Sequence, residues 1–223
     1  MNSGIGATLP LALGIAISPV PIIAAILMLL SPKARVTSVG FLLGWVLGII
    51  VAVTAFTLLA SSIPAEDADA SKPIRGVIQL VLGALLLLLA VSQWRKRPKS
   101  GEDPVMPKWM QAIDSISFPL ALGLGFLLAA LNPKNLLMAA GAGLEIGTAA
   151  LDTGAVIVVI AVFTVLAAST VLVPVVGYLL AAAKLRAPLD ALRGWLVKEN
   201  TVIMAVLLVV IGVATIGKGI GSF

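Results

Sequence analysis

The sequence predicts an all-α polytopic membrane protein: six transmembrane helices arranged as two inverted three-helix repeats, with both termini on the outer side. Three observations predict it. Six apolar runs are long enough to cross a bilayer, basic residues gather in alternate loops, and a short motif pair recurs at the start of each half.

The runs come first. Of 223 residues, 60% are hydrophobic and only 11% charged, where a soluble domain carries about 25% charged residues. That leaves too little polar surface to coat a water-facing shell. A helix needs about 20 apolar residues to cross roughly 30 Å of hydrocarbon. Such runs cover residues 7–30, 39–60, 74–91, 118–143, 155–180 and 201–217. No Lys or Arg precedes Lys33, so the chain opens without the positive region of a secretory signal, and the first run reads as a retained span. The third run is short and holds an unbroken Leu85–Leu89 series, the composition of a helix that faces lipid or fills space.

The basic residues orient these spans. Lys33 and Arg35 lie in loop 31–38; Arg95, Lys96, Arg97, Lys99 and Lys108 in loop 93–117; Lys184, Arg186, Arg193 and Lys198 in loop 181–200. Together they are eleven of the 15 basic residues. The opposite side holds Lys72, Arg75 and Lys218 with the acidic residues Glu66, Asp67, Asp69, Glu145 and Asp152. By the positive-inside rule the three basic loops are cytoplasmic and both termini are outside, which requires an even number of spans. The net charge of +5 is therefore a topology signal, and no nucleic-acid partner is expected.

Two cytoplasmic loops carry helical periodicity. Met106, Trp109, Met110, Ile113 and Ile116 recur at helical spacing, as do Leu189, Leu192, Trp195 and Leu196 after Pro188, a good first helical residue. Both read as amphipathic helices at the membrane interface, or as docking sites for a soluble partner. The chain thus divides into a first repeat (1–94), a cytoplasmic linker with an amphipathic helix (95–117) and a second repeat (118–223).

The halves echo one another. Leu9-Pro10-Leu11-Ala12-Leu13-Gly14 returns as Phe118-Pro119-Leu120-Ala121-Leu122-Gly123, and Ile17-Ser18-Pro19-Val20-Pro21 is answered by Leu131-Asn132-Pro133-Lys134-Asn135. With three spans in each half, the second copy enters the membrane from the opposite side. In transporters built this way the substrate site lies near the midplane, on helices interrupted at corresponding positions. Pro19, Pro21 and Pro133 supply the interruptions, because proline removes a backbone donor and frees carbonyls. Freed carbonyls survive in a membrane only where protein or a water-filled cavity satisfies them. The candidate substrate pathway is therefore Ser18, Pro19, Pro21, Asn132, Pro133, Lys134 and Asn135, with Ser18 and Asn132 expected to face each other. A proline kink capped by Ser18 or Asn132, with no ligand, is the plainer alternative. Lys134 places an ammonium within a span, which marks a functional residue unless its stem reaches out to the headgroups. Glu145 reads as a solvated end residue rather than its partner. Gly40, Gly44 and Gly48 form a double GxxxG, a face for close helix packing within or between subunits.

The chain has no Cys and no His, which removes thiol redox chemistry, imidazole and thiolate metal sites and His-based acid–base catalysis. Only Ser, Thr, Asp, Glu, Lys and Tyr178 remain for an enzyme, and no acid–base pair stands out. No enzyme activity, cofactor or metal is expected, and no nucleotide-binding loop is present.

The Ser18-Pro19-Val20-Pro21 element and Asn132-Pro133-Lys134 resemble the paired proline signatures of the LysE exporter superfamily. Within it, residues 9–32, the fourth span to Gly143 and the lengths between them resemble the GAP family, the glycopeptidolipid- and sulfolipid-addressing proteins. The resemblance covers nearly the whole chain through short motifs. It implies export across a bacterial inner (plasma) membrane of envelope glycolipids or lipid-linked precursors, alone, as a homodimer or beside a larger lipid transporter. The cysteine-free sequence excludes the electron-carrying branch of that superfamily, and the metal branches would want carboxylates well inside a span, where none is found. Export of a small solute such as an amino acid or organic cation, and a non-transporting membrane scaffold, are the competing expectations.

Overall fold

The computed structural model describes residues 2–63, 73–97, 113 and 116–223. The acidic loop with Glu66, Asp67 and Asp69, and most of the 106–116 amphipathic stretch, lie outside them. The described residues are helical with short connections. The helices are α1 (Asn2–Ala16), α2 (Pro19–Leu30), α3 (Ala34–Ala60), α4 (Pro73–Arg95), α5 (Phe118–Ala130), α6 (Pro133–Gly147) and α7 (Thr153–Ile220).

Three of these, α3, α4 and α7, are long and apolar enough to cross a membrane. The first and fourth apolar runs are each two helices, with α1 and α2 meeting at 53° and α5 and α6 at 61°. Each pair passes the same test when taken as one bent span. The chain is a multi-pass helical membrane protein.

Helix α7 departs from expectation. Its 68 residues would reach about 102 Å if straight, at 1.5 Å per residue. Yet Val159, near its start, packs 3.7 Å from the Cβ position of Gly4, while Lys218 at its other end lies 3.1 Å from the carbonyl of Ala7. Both ends reach the start of α1, so the helix doubles back. Ala181 is its one residue with non-helical backbone (φ −146°, ψ 51°), and the fold-back is there. The separate amphipathic helix expected to begin at Pro188 is instead the start of a continuous second limb from residue 182, with Pro188 inside it. Leu189 and Leu196 are buried while Leu192 and Trp195 are exposed, so only half of the expected apolar face packs inward. Periodicity found the helix but only part of its buried stripe, and proline was a misleading start signal.

Helix α4 is also less uniform than its Leu run suggests. Leu86 is buried while Leu85 and Leu88 are exposed. Its inner face meets the second limb of α7 through glycines: a Cβ on Gly83 would stand 2.9 Å from the carbonyl of Gly212, and one on Gly219 3.0 Å from that of Gly76.

The glycine face of α3 packs on α5 within the same chain. A Cβ on Gly40 would come 2.9 Å from the Phe118 carbonyl, and one on Gly48 2.7 Å from Ala129 Cβ; Gly44 lies against the backbone of Leu122 and Phe126. Gly125 answers from α5, where a Cβ would be 2.9 Å from Trp45 N. Small residues on both sides let the backbones approach, the usual device where lipid offers no hydrophobic drive to association. Further along, Gly147 of α6 packs on Thr57 and Ala60, so α3 runs beside the whole bent α5–α6 pair. The first limb of α7 lies correspondingly beside α1 and α2.

Candidate functional site at the two broken helices

The first break begins with missing donors. In an unbroken helix the carbonyls of Gly14 and Ile15 would bond the N–H groups of residues 18 and 19. Pro19 has none, and Ser18 N turns to the Ala16 carbonyl at 2.9 Å. Gly14 is thereby left with a free carbonyl in the apolar interior, where each unsatisfied group costs several kcal/mol. Lys134, at the second position of α6, donates its Nζ to that carbonyl. Thr170 from α7 donates its Oγ1 to the Ala16 carbonyl at 2.6 Å. Ser18 is buried and makes no side-chain cap.

The second break repeats the pattern. The N–H of Leu131 bonds the Leu127 carbonyl, α5 stops, and Pro133 opens α6. The Leu128 carbonyl is among those then left over, and Asn135 Nδ2 donates to it at 2.9 Å. Gly14 and Leu128 hold equivalent places, each four residues before the N-cap of the second half-helix, Ser18 or Asn132. Lys134 and Asn135, neighbours on one turn of α6, therefore close one gap each. In the first half the corresponding positions are Val20 and Pro21, which have nothing to donate.

Of the residues named from sequence, Pro19 and Pro21 lie in the first turn of α2, where a missing N–H is tolerated. Pro133 does the same for α6 and is exposed. Asn132 caps α6 itself, its Oδ1 accepting from Lys134 N at 3.1 Å, so its side chain is turned along its own helix. No hydrogen bond joins it to Ser18 among the described residues. Lys134 and Asn135 are 2% and 1% exposed, enclosed in protein rather than snorkelling. The clefts lined by Ser31–Val36 with Tyr178, and by Trp94 with Ala205–Val210 of the second limb of α7, contain neither. The earlier Leu-Pro echo also separates in space: Pro119 opens α5 while Pro10 lies inside α1.

Lys134 has no carboxylate partner among the described residues. What faces its charge is the C-terminal end of α1, the negative end of that half-helix dipole. Beside it, Asn135 Oδ1 is buried without a donor, so polar valence is left over on both side chains.

Glu145 corrects an expectation. It is only 6% exposed, not a solvated end residue. It pairs with Arg75, pairs with Lys218 at 2.9 Å, and accepts from Gln79 Nε2 at 3.3 Å. Ser222 Oγ in turn donates to Gln79 Oε1 at 3.2 Å. This cluster ties the start of α4, the end of α6 and the end of α7 together beside α1. Sequence did assign Arg75, Glu145 and Lys218 to one side of the membrane. It could not show that the packing of α4 on α7 would close over the carboxylate.

No curated protein and no solved structure matches the chain. The family model of Sap, sulfolipid-1-addressing protein, matches residues 8–221, a stretch that includes both breaks and every side chain that closes them; the chain belongs to the sulfolipid-1-addressing protein family.

Proposed function

We infer that the protein is a LysE-type exporter of six spans in two inverted repeats, moving an envelope glycolipid or lipid-linked precursor across a bacterial inner membrane. The observation that carries this reading is the pair of equivalent helix breaks closed by Lys134 and Asn135. Helices interrupted at corresponding places, with half-helix ends and a buried ionisable group between them, are where inverted-repeat transporters bind their cargo.

The packing supports the same architecture. Counting each bent pair as one span and each limb of α7 as another gives six. The second span then packs on the fourth and the fifth on the first, while the third packs on the sixth. Exchanging the halves maps that pattern onto itself. The ends brought together around Glu145 are also those that loop charge assigns to the outside. A lipid-type cargo is favoured by the family's description as sulfolipid-1-addressing. No enzyme role is proposed.

The test is lipid and metabolite profiling of both membrane faces in cells with and without the gene, complemented by wild type or by Lys134→Met. Accumulation of a glycolipid on the inner face, restored by wild type alone, is expected. Unchanged lipids with loss of amino-acid efflux would replace this reading with small-solute export.

A further inference from the structure

At the end of the molecule opposite Glu145, the short turn between α2 and α3 meets the α7 fold-back in a cleft of about 530 Å³. Ser31, Lys33, Arg35, Val36, Tyr178 and Arg186 contribute to its walls. Three of these carry positive charge, drawn from two segments far apart in sequence, and no carboxylate lines the cleft among the described residues. Lys33 is also the N-cap residue of α3, so the positive end of the dipole of a 27-residue helix lies at the cleft. Tyr178 and Ser31, both buried, form the floor of the cleft, the Ser31 hydroxyl donating to the Met28 carbonyl at 2.8 Å.

The surroundings are apolar. Val36, in the wall, is 55% exposed, and Leu180, next to the fold-back, is 83% exposed. A site for a soluble anion would not need greasy flanks. Cationic side chains beside exposed aliphatic ones match a molecule with an anionic head and an acyl tail, as in basic pockets between transmembrane helices.

We propose that this cleft binds an anionic phospholipid of the adjoining leaflet, its phosphate held by Lys33, Arg35 and Arg186 and its chain laid against Val36 and Leu180. The lipid would bridge the α2–α3 turn to the fold-back at Ala181. The site is separate from the helix breaks and does not depend on whether the protein transports.

The experiment uses the full chain, purified in detergent and mixed with phosphatidylglycerol, phosphatidylcholine or inorganic phosphate, with bound lipid counted by native mass spectrometry. One tightly retained phosphatidylglycerol is expected, with phosphatidylcholine held about tenfold less well or worse. The triple variant Lys33→Gln/Arg35→Gln/Arg186→Gln should lose that lipid. Arg95→Gln/Lys96→Gln/Arg97→Gln, which removes equal charge from the same end, should keep it. Each single variant at the cleft should weaken retention by a few fold, which guards against misfolding of the triple. Equal loss in both triples, or no loss in either, would overturn the site. Displacement of the lipid by millimolar phosphate would overturn the choice of a lipid over a free anion.

Discussion

The ammonium of Lys134 and the carbonyl of Gly14 form a hydrogen bond that joins the two broken helices across 120 positions of sequence. Because Asn135 closes the other gap from the next position, one turn of α6 serves both breaks. The two side chains differ in charge, and that difference separates their predicted phenotypes.

Lys134→Met should abolish transport while leaving the fold near normal. Losing the donor to Gly14 costs about 1–3 kcal/mol. Removing an ammonium from the membrane interior returns about 2.5–3.5 kcal/mol, so the two nearly cancel. Expression, gel-filtration profile and melting temperature should stay close to wild type while substrate movement falls to background. An active variant would show that the charge has no part in transport.

Asn135→Ala should be the more damaging to stability. It strips the Leu128 carbonyl of its donor with no charge to remove in exchange, a loss of about 1–3 kcal/mol. Thermal unfolding in detergent should rank Asn135→Ala below Lys134→Met. The reverse order would mean that the ammonium stabilises the closed breaks more than its desolvation costs.

Gly44→Leu should prevent α3 from seating on α5, since its Cβ would run into the Leu122 backbone; overpacking of this kind costs about 1–3 kcal/mol or more. Leu88→Ile, on a residue 65% exposed, should be nearly silent. Yield of folded protein is the readout, and equal tolerance would make the close approach incidental.

Glu145→Gln leaves Arg75 and Lys218 side by side without their carboxylate. Breaking a buried pair costs about 3–5 kcal/mol, and the partial exposure of both cations screens this to about 2 kcal/mol. A double-mutant cycle with Arg75→Gln should recover part of the loss. Strict additivity would mean that the pair contributes nothing.

The absence of native cysteine makes topology directly measurable. In intact cells an impermeant thiol reagent should label Ser62→Cys and leave Ala187→Cys protected. Labelling at Ala187→Cys would invert the orientation read from loop charge.

Much of this was legible in the sequence. Pro19 and Pro133 marked both breaks to the residue, because a missing N–H is a local property. Loop charge grouped Arg75, Glu145 and Lys218 on one side, where the structure brings them into contact. What failed was whatever depended on neighbours. Glu145 lies near a helix end, and only the packing of α4 against α7 buries it. Pro188 resembled a helix start, but the chain had already re-entered helix at residue 182, and no punctuating residue marks Ala181. The partners of Gly14 and Leu128 were hidden as well, since a carbonyl carries no sequence signature.

The first broken helix contains no group able to close its own gap, and this has a bearing on how the protein is made. As the nascent chain enters the bilayer, α1 and α2 arrive with the Gly14 carbonyl open, and they stay so until Lys134 has been synthesised and inserted. Closure of the first bent span is thus timed by the arrival of the second half of the chain.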